Sequence, residues 1–557
     1  MTGMGSFFGR FEWEVSGTEY GYSVAYSRGF EGSTRPDLDF SEERFDDTQE
    51  KSVSANCSSI LHYILYLLCR PWRHRGSTLP NLNSSGSTGQ NFFDVVNRTL
   101  QGYLDQNLSI HKLHLDFSRP DSPTAVVLLG KWIPMIAALN IKVFKLNSRS
   151  YTPAYYNLPS VVFLAESLEE LHLCRCRVSP VESVRFKILR TLTLQHVQVD
   201  GATFETIMLG CPLLRRLVLT YCLGLRNVRL SKAASPGLKH FELDNFEWTE
   251  GHSIEIDVPN LEKGRIVGPW IWCHHQSKLL FPRLTNLDLN SVILSRESFD
   301  LLSFGCPTLE SLTLFSCSGF EEFHLASDSV KWLTISTSNI LLKGATICAP
   351  NILRFTFFAC ILQPLHTFSF TTTTSKDWSS QIYLSSYKDD PDFNVNWWFL
   401  ELRRMLKALS GSRISLFLRM DGGPQNVPCS TFLGDEPPVM VRDLDFATCK
   451  CRTASWYSDF TNGLFRVCRP SHVRGGSFVR VSDKNCRLSE FQLNILLANK
   501  NVRTEPYFWS HDLEQVHVDG QLVQWRDLSK LRNRTYDRDI WLELKWRGHN
   551  YCKLSKH

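Results

Sequence analysis

Leu192-Thr-Leu194-Gln-His-Val197, then Phe204, Gly210-Cys-Pro212-Leu-Leu214, Leu217-Val-Leu219-Thr-Tyr-Cys222 and Leu230, aligns without a gap on a second stretch. The second runs Leu287-Asp-Leu289-Asn-Ser-Val292, Phe299, Gly305-Cys-Pro307-Thr-Leu309, Leu312-Thr-Leu314-Phe-Ser-Cys317 and Leu325. The offset is 95 throughout. A shorter unit recurs inside each copy. Leu-x-Leu pairs stand at 171/173, 192/194, 217/219, 287/289 and 312/314, with Phe241/Leu243 in register, at steps of 21, 25 and 24 residues in the first group and 25 in the second. Weaker strand candidates lie at Ile254/Ile256, Leu333/Ile335 and Leu353/Phe355.

That period matches leucine-rich repeats, whose units run about 20 to 29 residues. Strand side chains alternate with period two, so both leucines of each pair point inward while the residue between them points outward. The segment Asp200 to Pro212 offers Phe204, Ile207 and Leu209 at helical spacing and stops at Gly210 before Pro212, a Gly-then-Pro helix end. Each unit is thus expected to be a strand plus a short helix. No single unit can bury its own apolar face, so the units must stack. The expected fold is an α/β leucine-rich-repeat solenoid, a curved parallel sheet with short helices on its convex side.

Working outward, residues 91–360 form the expected solenoid. Residues 1–56 are rich in Gly, Ser and acid, and the stretch 31–50 holds eight Asp/Glu against two Lys/Arg, which reads as a solvated arm. The polar run 81–90 reads as a connector, with 84–90 as the linker proper. Beyond 360, Trp398, Leu402, Met405, Leu406 and Leu409 follow helical spacing, and Ile414, Leu416, Leu418 and Met420 alternate as a strand. Further strands are expected at Val439/Val441, Leu444/Phe446, Val516/Val518 and Leu542/Leu544/Trp546. Residues 361–557 therefore read as an α/β continuation or cap of the solenoid.

The chain of 557 residues is 43% hydrophobic and 21% charged, an ordinary globular balance. Its net charge of +5 is too small for this length to argue for nucleic acid or an anionic membrane. The start lacks a basic segment followed by an apolar run, so a nuclear or cytosolic location is expected. The apolar stretch from Ala125 to Phe144 is interrupted by Lys131 and Pro134, whereas a membrane helix needs about 20 nearly uncharged residues. The 17 cysteines are then read as reduced and mostly buried.

Ser167-Leu-Glu-Glu-Leu-His-Leu-Cys-Arg-Cys176, Leu-x-x-Gly-Cys-Pro-x-Leu-x-x-Leu at 209–219 and Tyr156-Asn-Leu-Pro159 resemble the plant F-box/leucine-rich-repeat proteins. The resemblance also covers 57–83. Ile60, Leu61, Ile64, Leu65 and Leu68 are similar to the first F-box helix, and Trp72 to the Trp-Arg at its end. It implies that these six residues dock the adaptor of an SCF-type ubiquitin ligase, and that the concave face of the solenoid holds a protein substrate. The contact positions on that face are His172, Thr193, Gln195, Val218, Thr220, Glu242, Asp244, Asp288, Asn290 and Thr313. The family separates the leucine helix from Trp-Arg by a middle helix, whereas Leu68 and Trp72 here are four apart. An interface needs several buried anchors, so this internal deletion counts against the adaptor and cullin link. A stand-alone scaffold binding a partner or ligand without a ligase, or a nonfunctional product, is the alternative.

No phosphate-binding Gly-x-x-x-x-Gly-Lys-Ser/Thr, Gly-x-Ser-x-Gly or His-Glu-x-x-His occurs, so no catalytic residue and no cofactor is expected. Cys174-Arg-Cys176, Cys449-Lys-Cys451 and Cys273-His-His275 have zinc-ligand types. A Cys-x-Cys on one strand puts both thiols on the same face, however, and no second pair stands at finger spacing, so buried thiols are the better reading. His511-Asp512 lacks a linked nucleophile.

Overall fold

The computed structural model describes residues 82–83 and 97–547, apart from several short stretches of which 421–435 is the longest. The chain divides into two compact units, Met1–His74 and Arg75–His557, and every described residue lies in the second. The acidic arm and the F-box residues Ile60, Leu61, Ile64, Leu65, Leu68 and Trp72 lie outside the described residues.

Nineteen strands make the main sheet. They begin with β1 (Leu82–Asn83), β2 (Lys112–Phe117), β3 (Val143–Ser148), β4 (Glu170–Cys174), β5 (Thr191–Gln195) and β6 (Arg216–Thr220). Next come β7 (His240–Asp244), β8 (Lys263–Val267), β9 (Asn286–Asn290), β10 (Ser311–Phe315), β11 (Trp332–Ser336) and β12 (Arg354–Cys360). The rest are β13 (Ser379–Ser386), β14 (Arg413–Met420), β15 (Val439–Ala447), β16 (Cys468–Gly475), β17 (Leu513–Val518), β18 (Gln521–Leu522) and β19 (Trp541–Trp546). From β1 to β16 each strand pairs in parallel with the next in chain order. The last three strands then pair antiparallel in the order β16–β19–β17–β18.

The register follows the leucine pattern. Leu171, Leu192, Leu217 and Phe241 stand side by side on β4 to β7, and Leu287, Leu312, Leu333 and Phe355 on β9 to β12. All eight are buried, with Leu217 and Leu312 at 0% exposure, while Val218 and Thr313 between the leucines keep part of their surface. The two 95-residue copies thus share one layer of one sheet.

The back of the solenoid differs from the expected row of helices. Asn227–Ser231, Ser253–Asp257 and Ile271–Trp272 form one parallel sheet there, and Glu322–Ala326, Gly344–Cys348 and Thr367–Thr371 another. Val228/Leu230, Ile254/Ile256 and Phe323/Leu325 alternate with polar residues, a strand period that turns one side into the core. Ile254 and Ile256 therefore belong to this second layer, not to the main sheet. Helix α1 (Pro123–Trp132) and helix α2 (Gly201–Leu209) lie in the repeat region, with a 3-10 turn at Ser160–Leu164 and a π turn at Leu301–Gly305. Asp200 caps α2 by accepting from the Thr203 N–H at 2.7 Å. Phe204, Ile207 and Met208 are buried on it, whereas Leu209 is 66% exposed and not part of the core face.

The turn out of each strand explains two further departures. Arg175, His196, Tyr221, Ser291 and Ser316 follow β4, β5, β6, β9 and β10, and all have positive φ, from 49° to 60°. Such a residue ends the extended run, so Cys174 stays on the sheet's outward face while Cys176 is buried in the back strand Cys176–Val178. The pair does not share a face. In β12 the inward pair is Phe355/Phe357, and Leu353 is 47% exposed just before the strand.

The main sheet crosses residue 361 without a break, since β12 pairs with β13 over seven residues. Helix α3 (Val395–Ala408) buries Trp398, Phe399, Leu402, Met405 and Leu406. Helix α4 (Ala454–Val467) and helix α5 (Glu490–Lys500) cover the inward face around Phe446, whose ring lies 5.5 Å from Phe460 and 4.2 Å from Phe491. Ser489 and Gln492 cap α5 reciprocally, the Gln492 side chain accepting from the Ser489 N–H at 3.0 Å and the Ser489 hydroxyl from the Gln492 N–H at 3.2 Å. The Gln492 amide also donates to the Ile540 carbonyl at 2.9 Å, tying α5 to the start of β19.

Candidate functional site: the outward face of the main sheet

All ten expected contact residues fall on one face, in two adjacent rows. His172, Thr193, Val218, Glu242, Asp288 and Thr313 occupy the middle position of their strands, and Gln195, Thr220, Asp244 and Asn290 the last. The sheet supplies a residue that the Leu-x-Leu search missed. Arg265 of β8 stands between Glu242 and Asp288. Lys263-Gly-Arg-Ile-Val267 has glycine where its neighbours have Phe241 and Leu287, yet Gly264 is 23 residues from both. Spacing alone would have found it.

Arg265 organises the charges here. Its Nη1 lies 2.9 Å from Glu242 Oε1 and its Nε 3.4 Å from Asp288 Oδ2, while Arg216 Nη2 approaches Glu242 Oε2 at 3.7 Å. Burial pushes the Asp288 carboxyl up to about 6 although Arg265 pulls it down. Burial likewise raises Asp244, and burial together with Lys145 lowers His172. Because the folded pKa of Asp288 exceeds its ordinary 3.8, the native chain takes up this proton before the unfolded chain does. The resulting stabilisation is complete below about pH 4 and is lost as pH rises through about 6. Asp288→Asn should therefore flatten the change in Tm between about pH 4 and pH 6.5, as read by thermal unfolding against the parent.

Farther along, the last-position row turns aromatic. Phe358 stacks on Tyr383 at 4.6 Å and 14°, Tyr383 on Phe417 at 4.3 Å and 7°, and Phe315 meets Phe358 edge-on at 5.8 Å. These four residues were not read from sequence. The row continues as Asp445 and Arg474, whose Nε donates to Asp445 Oδ2 at 2.6 Å, and Arg474 lies 5.3 Å over the Trp541 ring. Nearby, Ser415 Oγ donates to Asp443 Oδ2 at 2.9 Å, and Asp443 Oδ1 lies 3.4 Å from His472 Nδ1. The hydroxyl bonds the carboxylate and not the imidazole, which is the wrong order for activating a nucleophile. Asp512 of the His511-Asp512 pair accepts from Arg469 at 2.8 Å. Among the described residues no three His, Cys, Asp or Glu side chains gather as a metal site, and no helix is long and apolar enough to cross a membrane.

The family model for the leucine-rich repeats of the FBD-associated F-box protein At5g56370 matches residues 129–276 and 230–373. The matched residues are similar to the leucine-rich repeats of that F-box family. Over 361 residues the chain is 22% identical to the putative F-box/LRR-repeat protein At5g02930 of Arabidopsis thaliana, covering 60% of this chain and 73% of that one. It is 25% identical over 206 residues to the Arabidopsis F-box/LRR-repeat protein 13, covering 36% of this chain and 46% of that one. It is 28% identical over 262 residues to the Arabidopsis F-box/FBD/LRR-repeat protein At1g13570, covering 44% and 55%. No solved structure matches. In a leucine-rich-repeat solenoid the parallel sheet lines the concave side, so the outward face described above is the concave one. Proteins so named are interaction adaptors in type.

Proposed function

We propose that this chain is a non-enzymatic recognition subunit that holds a protein substrate on its concave face for ubiquitination by an SCF-type ligase. The observation that supports it most is the placement of the ten contact residues, with Arg265, in two adjacent rows on one sheet face, the middle row unbroken from β4 to β10. A rigid parallel ladder presents such side chains at fixed spacing, which suits recognition of a surface more than catalysis. Ile60, Leu61, Ile64, Leu65, Leu68 and Trp72 would dock the adaptor, at a nuclear or cytosolic site, with no part for nucleic acid or membrane. Expressing the tagged full chain and probing for the adaptor and a cullin tests the ligase half. Recovery of both supports it, and their absence at high expression overturns it.

The second reading is a scaffold that binds its partner without a ligase, and the four-residue step from Leu68 to Trp72 favours it. Arg265→Glu tests the concave half that both readings share and should release the concave partner, whereas recovery of the adaptor from the parent chain distinguishes the first reading from the second.

A further inference from the structure

The concave face is divided by charge. The strands β10 to β14 contain Arg354, Arg413 and Arg419 and not one Asp or Glu, whereas β7 to β9 carry Glu242, Asp244 and Asp288 beside Lys263 and Arg265. Within β10 to β14, Trp332, Arg354 and Arg413 line the first outward row and the Phe358–Tyr383–Phe417 stack lines the last. Between them runs a floor of small or polar side chains, from Thr313 and Thr334 to Gln381 and Ser415. Four residues of strand rise separate the walls by about 13 Å, and five strands give the trough a length of about 19 Å.

Both walls favour negative charge. Tyr383 is stacked between Phe358 and Phe417, so it offers the trough its electropositive ring edge. On the other wall Arg354 is exposed and makes no ion pair among the described residues, and Arg413 donates from Nη2 to the Asp377 main-chain carbonyl at 3.5 Å while its buried Nε has no acceptor. The nearest carboxylates on the next strand, Asp443 and Asp445, are held by His472 and Arg474. After the wall side chains take their share, the gap is narrower than the roughly 10–12 Å that a helix with its side chains occupies. It fits a single extended chain of about six residues.

We propose that this trough binds an extended acidic segment of the partner protein, with carboxylates toward Arg354 and Arg413 and apolar side chains against the Phe358–Tyr383–Phe417 edges. The inference rests on the concave face being the recognition surface, and it adds the chemical class of what is recognised. The test is selection of a random octapeptide phage library on the full chain, with Arg354→Glu, Arg413→Glu and Arg265→Glu as matched baits whose Tm equals that of the parent. The expected pool alternates Asp or Glu with apolar residues, and its recovery falls about tenfold on the Arg354→Glu and Arg413→Glu baits. A pool without acidic bias, or one that those two baits recover as well as the parent, overturns the trough. If such a pool is lost on Arg265→Glu alone, concave recognition stands while the trough fails. A pool indifferent to all three overturns both. Displacement of the pool by single-stranded oligothymidylate, with that oligonucleotide bound directly and lost on the same two baits, would assign the trough to nucleic acid instead.

Discussion

Leu217→Ala is expected to lower the unfolding free energy by about 2–5 kcal/mol, measured by equilibrium urea denaturation. Leu217 is fully buried and its neighbours across the ladder, Leu192 and Phe241, are buried too. The layers on either side are fixed by backbone pairing, so the site cannot collapse and the cavity stays open. Val218→Ala, one residue away on the outward face, should stay within about 0.5 kcal/mol. Leu312→Ala should match Leu217→Ala, because the 95-residue offset puts it at the same place in the same layer. Equal losses at Val218 and Leu217 would show that the register is wrong.

The second large effect is expected at Gly268, at the turn after β8. Its φ is +123°, and a Cβ there would stand 1.9 Å from the Asn245 carbonyl oxygen. Backbone strain of this kind costs about 1–3 kcal/mol. The oxygen belongs to the preceding unit's main chain, so relief requires the two units to move apart. Gly268→Ala should therefore cost about 3 kcal/mol or more, enough to lower the yield of folded protein. Gly520 supplies the control, since its φ is +79° but nothing lies within 4 Å of its added Cβ. Gly520→Ala should cost only about 1 kcal/mol. A Tm comparison of the two variants separates conformational strain from close approach.

The solenoid was legible in the sequence because a leucine pair is a local signal repeated at a nearly constant step. Leu192, Leu217, Leu287 and Leu312 declare both the strand and the side that faces in. The same rule put all ten expected contact residues on one sheet face, which needed only the alternation within each strand. Local signals fail where the repeat is degenerate or the information is non-local. Gly264 removed the leucine from β8 and hid Arg265. The back strands at 227–231 and 253–257 lack the Leu-x-Leu signature, and their layer is set by the turns that precede them. Phe315, Phe358, Tyr383 and Phe417 are separated by 43, 25 and 34 residues, and nothing in those intervals announces a stack. The left-handed residue after β4 was equally unreadable, because Arg175 is a type that seldom adopts it. Its effect was to put Cys174 and Cys176 on different sides of the chain.

A parallel stack has two open ends, and each end is a template on which another copy can lay its own strand. At the far end of this sheet the direction of pairing reverses at β19, and the outermost strand among the described residues is β18, only two residues long with both residues exposed. Two residues offer too short a ladder for an incoming strand, and an antiparallel edge mismatches the parallel β1 to β16 of a second molecule. Among the described residues this terminus therefore presents an antiparallel edge, and the parallel ladder of β1 to β16 has no matching strand there on which a second molecule could continue it.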